Sequence, residues 1–411
     1  MRTLLISAYA CEPLKGSEQG VGWNWVLQMA KHNKLHVITR ANNQGPIETH
    51  LPKDVAEHIT FHYYDTHPII KGLKNKAKGL YFYYFFWQLG IVQLINRLKK
   101  ENTFDYSIHL TMGSIWMPTF LPLLNIPFIW GPIGGGEGIP KPFLSMLPAK
   151  SRFVQTLRYF LKYTVYINPF VLIPSYKAVS IITRTNNTKS FIPSLFKNKV
   201  NVYLETSMEP SVFNFKKDIS IKNNTINLII TGRLVPFKNV ISVVNALKYI
   251  SSEYNYQLTI IGSGSEEKKI RNALVLLNLS NKVKFIKETT RNEVLTALSK
   301  SDIYLFPSLR EGGSWALMEA MAVGLPVICL NWSGMEIITD DASAIRLPVT
   351  NPQQMPKDLA SAICKLIDNP TLRNEMGMHG RERIKNVFNW DAKGTFMENL
   401  LNELDSKKET C

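Results

Sequence analysis

Cysteine is scarce in this chain of 411 residues: Cys11, Cys329, Cys364 and Cys411 are all there are. Their spacings match neither a disulfide framework nor a zinc-binding pattern, which excludes a stapled secreted scaffold and leaves buried thiols in a reducing compartment. Long apolar runs are missing too. Met1-Arg2 leads straight into Thr3–Tyr9, too short for a secretory signal core and shaped like a buried strand, so a cytoplasmic chain is expected. The apolar run Leu80–Ile95 falls short of a spanning helix and is interrupted by Gln88 and Gln93. Low-complexity tracts are absent, and 45% hydrophobic with 19% charged residues describes an ordinary globular protein.

Acidic residues are thin in one half only. Residues 1–200 carry 23 Lys and Arg against 9 Asp and Glu, leaving 25 against 23 for the remainder of the 48 and 32. Acid is lacking altogether from residues 71–100, which hold seven basic side chains, and from 141–199, which hold ten. Charge concentrated in this way predicts a polyanionic partner for the first half: phospholipid, nucleic acid or an anionic acceptor. Tyr81–Trp87, flanked by lysines, suits either a core helix or one lying in a membrane interface.

What is present is alternation. Strand-like segments at Thr3–Tyr9, His36–Thr39, Ile59–Tyr63, Tyr106–Leu110, Pro127–Trp130, Ala178–Thr183 and Val200–Tyr203 are separated by helical patterns. A second series runs through Ile226–Thr231, Gln257–Ile261, Val283–Ile286, Asp302–Pro307 and Pro326–Leu330. Such alternation predicts an α/β chain with two doubly wound parallel sheets. The expected domains are 1–205 and 206–390, with a last helix at 391–411 packing back on the first, and a ligand cleft at the carboxyl ends of the strands.

The strongest signal is Glu311-Gly312-Gly313-Ser314-Trp315-Ala316-Leu317-Met318-Glu319, after the strand that ends at Pro307. A strand, a glycine turn and a helix make an anion site from free backbone N–H groups and the positive helix end. The two carboxylates can accept short hydrogen bonds from sugar hydroxyls, and eight residues along a helix span roughly 12 Å. Arg233 and Lys238 follow the first strand of the series; a planar fork and a point charge suit a diphosphate. Gly262 and Gly264 form a third strand-to-glycine turn.

These residues resemble the donor-binding half of retaining GT-B glycosyltransferases of family 4, also called glycosyltransferase group 1, of the bacterial polysaccharide-assembly type. The resemblance implies two Rossmann-like domains facing a central cleft. It implies that Arg233 and Lys238 hold the donor diphosphate, Glu311 contacts the transferred sugar and Glu319 the ribose. Gly262 and Gly264 belong to the donor side, and Gly312, Gly313 and Ser314 offer backbone amides. Gly313 and Ser314 depart from many members, which carry a bulkier residue and a glycine there. In the first half, Gly16 lies in a glycine-rich loop similar to the family's, with Lys15 where many relatives have glycine. His109 resembles the family's strand-end histidine facing the transferred sugar, and Gly134, Gly135 and Glu137 lie in a turn expected on the acceptor side.

The implied activity moves a sugar from a nucleotide-sugar donor to a glycan or lipid-linked acceptor, with retention. No Asp-x-Asp pair occurs, so no metal or other cofactor is expected. The basic first half is a candidate for peripheral contact with an anionic membrane. Rival readings are an epimerase of the same fold, an inactive sugar-binding scaffold, or a nucleic-acid binder, the last without any motif in its favour.

Overall fold

The computed structural model describes residues 1–73, 79–217, 225–287 and 289–409. Lys74, Lys76 and Lys78 of the basic segment, Asp218, Asn223 and Asn224 of the interdomain stretch, and Cys411 lie outside the described residues. Chain contacts divide the molecule into two units: Met1–Gly136 with Lys162–Glu205 and Trp390–Cys411, and Glu137–Leu161 with Thr206–Asn389. The sequence assigned 1–205 to the first domain without a break. Residues 137–161 instead pack with the second unit, where the Trp332 indole donates to the Gly138 carbonyl at 2.9 Å.

In the first unit, β1 (Thr3–Ser7), β2 (Lys34–Arg40), β3 (Ile59–Tyr64), β4 (Tyr106–His109), β5 (Phe128–Ile133), β6 (Ala178–Thr183) and β7 (Val200–Val202) form one sheet in the order β3-β2-β1-β4-β5-β6-β7. Every pairing is parallel. The reversal of strand order between β1 and β4 is the switch point where such sheets take ligands. Helix α1 (Ser17–Ala30) follows β1. Helix α2 (Gly79–Glu101) answers the question raised by the aromatic run. Tyr83, Trp87, Ile91 and Ile95, at helical spacing, are buried with Tyr84, and Tyr9 meets Tyr84 and Trp87 edge to face. One face of this segment is therefore core, while Tyr81 and Phe82 on the other are exposed.

The second unit repeats the plan. Strands β8 (Ile226–Thr231), β9 (Tyr256–Ile261), β10 (Val283–Ile286), β11 (Ile303–Phe306), β12 (Val327–Leu330) and β13 (Ala344–Leu347) lie in the order β10-β9-β8-β11-β12-β13, again all parallel. Edge strand β13 was not expected, because Ala-Ile-Arg-Leu is short and carries a charge. Helices α3 (Val240–Leu247), α4 (Glu267–Leu276), α5 (Arg291–Ser299) and α6 (Trp315–Val323) connect the strands. The last helix, α7 (Trp390–Glu409), returns to the first unit. Arg2 pairs with Glu398 at 2.7 Å and Asp405 at 2.6 Å, and Lys31 pairs with Asp391 at 2.7 Å. Lys393 is buried against the Tyr203 ring, and burial pulls its ammonium down to about 7 while Glu205 opposes.

Candidate active site

At the switch point of the second unit, three loops meet beyond the ends of β8, β9 and β11. After β8, Gly232 takes φ +129° with no atom within 4 Å of the β-carbon position. Arg233 follows, exposed, and a single turn Pro236–Lys238 leads to Asn239, whose left-handed backbone (φ 53°) starts α3. The loop after β9 is laced to this one: Leu234 N donates to Ser263 O at 2.8 Å and Glu266 N to Leu234 O at 2.9 Å. A β-carbon on Gly262 would sit 2.0 Å from Gly232 O, and one on Gly264 2.3 Å from Leu234 O. Gly262 and Gly264 thus let two backbones touch and hold the Arg233 loop in place. They act at one remove from the donor side assigned to them by sequence.

The loop after β11 carries the carboxylate. Lys238 Nζ donates to Glu311 Oε1 at 2.5 Å and Ser308 Oγ to the same oxygen at 2.6 Å. The Glu311 carbonyl accepts from Ser333 Oγ at 2.7 Å and Gly334 N at 3.1 Å. A β-carbon on Gly334 would collide with Gly312 O at 1.7 Å, so only glycine permits that approach. Both ends of Glu311 are pinned, and the Lys238 and Glu311 side chains are 15% and 13% exposed. Charge-assisted contacts of this length, largely withdrawn from water, fix side-chain position. Gly312 has open space around its α-carbon, Gly313 abuts the Thr206 side chain, and Ser314 caps α6 by accepting from Leu317 N. Glu311 stands in the loop before α6 and Glu319 within the helix, as the sequence placed them, so the helical rise of roughly 12 Å does not apply across the whole interval.

Glu319 is buried within α6 and takes Arg291 Nε at 2.7 Å, while Arg291 Nη1 reaches Glu209 at 3.1 Å. Burial pushes the Glu319 carboxyl above its ordinary value, with Arg291 pulling the other way. Beneath the loops, Thr231 Oγ1 and the Tyr304 hydroxyl share a hydrogen bond of 2.8 Å, and burial raises the phenol. Ser308, Ser333, Gly334 and Arg291 were missed in the sequence. Ser333-Gly334 carried a turn signal, but Arg291 offered none, since its partner lies 28 residues further on.

Of the residues assigned from the first half, Gly16, His109, Gly134 and Gly135 belong to the first unit. Gly16 is the extended residue before α1, and Glu18 accepts from Gly113 N at 3.0 Å. His109 ends β4 opposite Ser7, at the switch point as expected, yet it is fully buried. Neither ring nitrogen meets a partner at hydrogen-bonding geometry, and burial pulls the imidazole down to about 4, opposed by the Met112 backbone, so it is neutral. An imidazole facing a sugar was expected; here the ring has no exposed surface. Gly134 bonds to Gly113 O and its α-carbon faces Arg184, and Gly135 takes φ +101° beside Ser114. Side chains stand where β-carbons on these two glycines would be: Arg184 for Gly134, and Ser114, Ile115 and Trp116 for Gly135. Glu137 belongs to the second unit, buried, with Arg158 and Arg310 acting on it electrostatically. The turn is therefore divided between the two units.

The second-unit loops can do one thing well. They set Arg233 and Lys238 at a strand-end depression also bordered by Thr231, Gly232 and Ser308, with the Glu311 carboxylate held against Lys238 and Ser308. Cations and amides suit a phosphate, and the carboxylate suits hydroxyl groups.

Comparison with known proteins agrees. The family model described as "Glycosyl transferases group 1" matches residues 212–383. An uncharacterized glycosyltransferase of Methanocaldococcus jannaschii is 30% identical over 210 residues, 50% of this chain and 57% of that protein. A GDP-mannose-dependent monoacylated alpha-(1-6)-phosphatidylinositol monomannoside mannosyltransferase of Corynebacterium glutamicum is 27% identical, over 45% and 49%. A capsular polysaccharide biosynthesis glycosyltransferase, CapM, of Staphylococcus aureus is 28% identical, over 43% and 47%. The chain thus spans about half the length of these curated relatives. Among solved structures, the sucrose-phosphate synthase of Thermosynechococcus elongatus superposes with TM-score 0.63 at 14% identity, covering 99% of this chain and 100% of that one. Anabaena HepE in complex with UDP superposes with TM-score 0.61 at 14% identity, covering 98% and 100%. The fold is GT-B, and residues 212–383 of the second unit are similar to the group 1 glycosyl transferases.

Proposed function

We propose that this chain is a group 1 glycosyltransferase that moves a hexosyl group, with retention, from a nucleotide diphosphate sugar to a glycan or lipid-linked acceptor in the assembly of a surface polysaccharide. The observation that carries the reading is the Lys238–Glu311 pair at 2.5 Å, beside the Arg233 loop at a strand-order switch point. Relatives named for GDP-mannose and for capsular polysaccharide, and a neighbour of the same fold holding UDP, support the substrate class.

In this reading Arg233 and Lys238 take the donor diphosphate, and the Gly312, Gly313 and Ser314 amides add donors beside it. Glu319 takes the ribose hydroxyls, and Glu311, released from Lys238 as phosphate arrives, turns its carboxylate to the sugar. The bond from the anomeric carbon to phosphate oxygen breaks, and the acceptor oxygen attaches on the same face. The acceptor proton passes to the departing phosphate oxygen. Side-chain cations and amides neutralise the leaving group, so the transfer requires no metal. His109, buried and neutral, supports the loop after β4 instead of touching the sugar.

The test is a thermal-shift screen of UDP-, GDP- and ADP-sugars on the whole chain, followed by product analysis with the stabilising donor and assignment of the new anomeric centre. One donor class should raise the melting temperature and yield an α-linked product from an α-linked donor. Epimerised donor without acceptor, or no stabilisation by any nucleotide-sugar, contradicts the reading.

A further inference from the structure

The helix Ala149–Thr164 is built with its apolar face outward. Phe153, Leu157 and Phe160, four and three residues apart, share one face of it. All three are exposed, at 70%, 48% and 64%, and Val154 beside them is 48% exposed. The opposite face turns polar groups inward. Gln155 is buried, and the Tyr159 hydroxyl donates to the Ile139 carbonyl. Arg158 on that side interacts electrostatically with Glu137. A helix resting on a globular body does the reverse and keeps its apolar stripe against the core. Scattered exposed apolar residues are ordinary; a stripe along one helix signals something that covers it.

Charge says what kind of cover. Lys150 is exposed at the start of the helix, and Arg152, two residues on, is exposed while donating to the Ser145 carbonyl at 2.9 Å, in a stretch where residues 141–199 hold ten basic side chains and no acid. An occupant that is apolar within and anionic at its surface satisfies both features, and a bilayer containing anionic lipid is such an occupant. At 16 residues the helix is too short to cross a membrane, and no helix among the described residues is long and apolar enough to do so. It suits lying in the interface, with the phenylalanines at the acyl boundary and the lysine among phosphates.

We infer that the outward face of residues 149–161 docks on an anionic membrane surface. The inference stands apart from the proposed chemistry and moves the expected membrane contact away from 71–100, where α2 commits Tyr83, Tyr84 and Trp87 to the core.

The test is co-sedimentation of the whole chain with vesicles of phosphatidylcholine, with and without phosphatidylglycerol. The wild-type chain should pellet with the anionic vesicles and release in high salt. The triple variant Phe153→Ser, Leu157→Ser, Phe160→Ser should lose binding about tenfold or more, with an unchanged melting temperature because these side chains touch solvent. Phe82→Ser, on the exposed side of α2, should bind as wild type. Failure of the wild-type chain to bind anionic vesicles overturns the inference, as does full binding by the triple variant. So does loss of binding on Phe82→Ser alone. A wild-type dimer that the triple variant dissolves would assign the face to a second copy and overturn it equally.

Discussion

The two units share a strand order and both use glycines for close backbone crossings, at Gly262, Gly264 and Gly334 in the second, yet the second also leaves two turn glycines open beside its charged residues. In the second unit Gly232 and Gly312 face open space beside Arg233 and the Lys238–Glu311 pair. In the first, β-carbons on Gly22, Gly113 and Gly136 would lie 2.0, 2.3 and 2.5 Å from the Ala10 oxygen, the Pro132 oxygen and the Thr188 α-carbon. Those glycines admit the chain's own backbone, and His109 at the end of β4 is buried and neutral. A glycine turn looks the same in sequence whether smallness serves a ligand or a close crossing. Structure separates the two by what stands where the side chain would be.

The sharpest way to break that comparison is to add one methyl group to each kind of glycine. Gly22→Ala should cost about 3 kcal/mol or more in urea unfolding, because the oxygen it meets is backbone and cannot step aside. Gly312→Ala should change stability by only about 0.5 kcal/mol. Similar losses at both positions would erase the distinction.

Acid offers a second, comparable effect. Seven of the eight histidines lie in the first unit, and burial holds both His62 and His109 at about 4, below the ordinary 6.5. Between those values the unfolded chain binds protons that the fold refuses. The stabilisation is therefore complete above about pH 6.5 and is lost as pH falls towards 4. For fully buried His109 the full loss is about 3 kcal/mol. Hydrogen exchange should show β1 and β4 amides opening before those of β8 and β11 over this interval, and the reverse order would contradict the assignment.

Much of the scaffold was legible in the sequence because parallel strands buried on both faces read as apolar runs, as Ile226–Thr231 and Ala178–Thr183 do. Ala344–Leu347 escaped because a four-residue edge strand bearing Arg346 has no such run. Arg233, Lys238, Glu311 and Glu319 were singled out by type and spacing, whereas their partners in the fold were not. Ser308 matters only because the loop brings its hydroxyl onto Glu311, and Arg291 only because α5 sets it against Glu319. The outward stripe on Ala149–Thr164 was hidden for a related reason: periodicity shows that a helix has an apolar face, not which way the face points.

The central claim is that the second unit's strand-end cations receive a diphosphate. Calorimetric titration of the stabilising nucleotide-sugar into the wild-type chain and into Lys238→Ala tests it most directly. Loss of one charged contact should weaken binding about thirtyfold, within a chain that melts as before. Equal affinity in the two proteins would contradict the account.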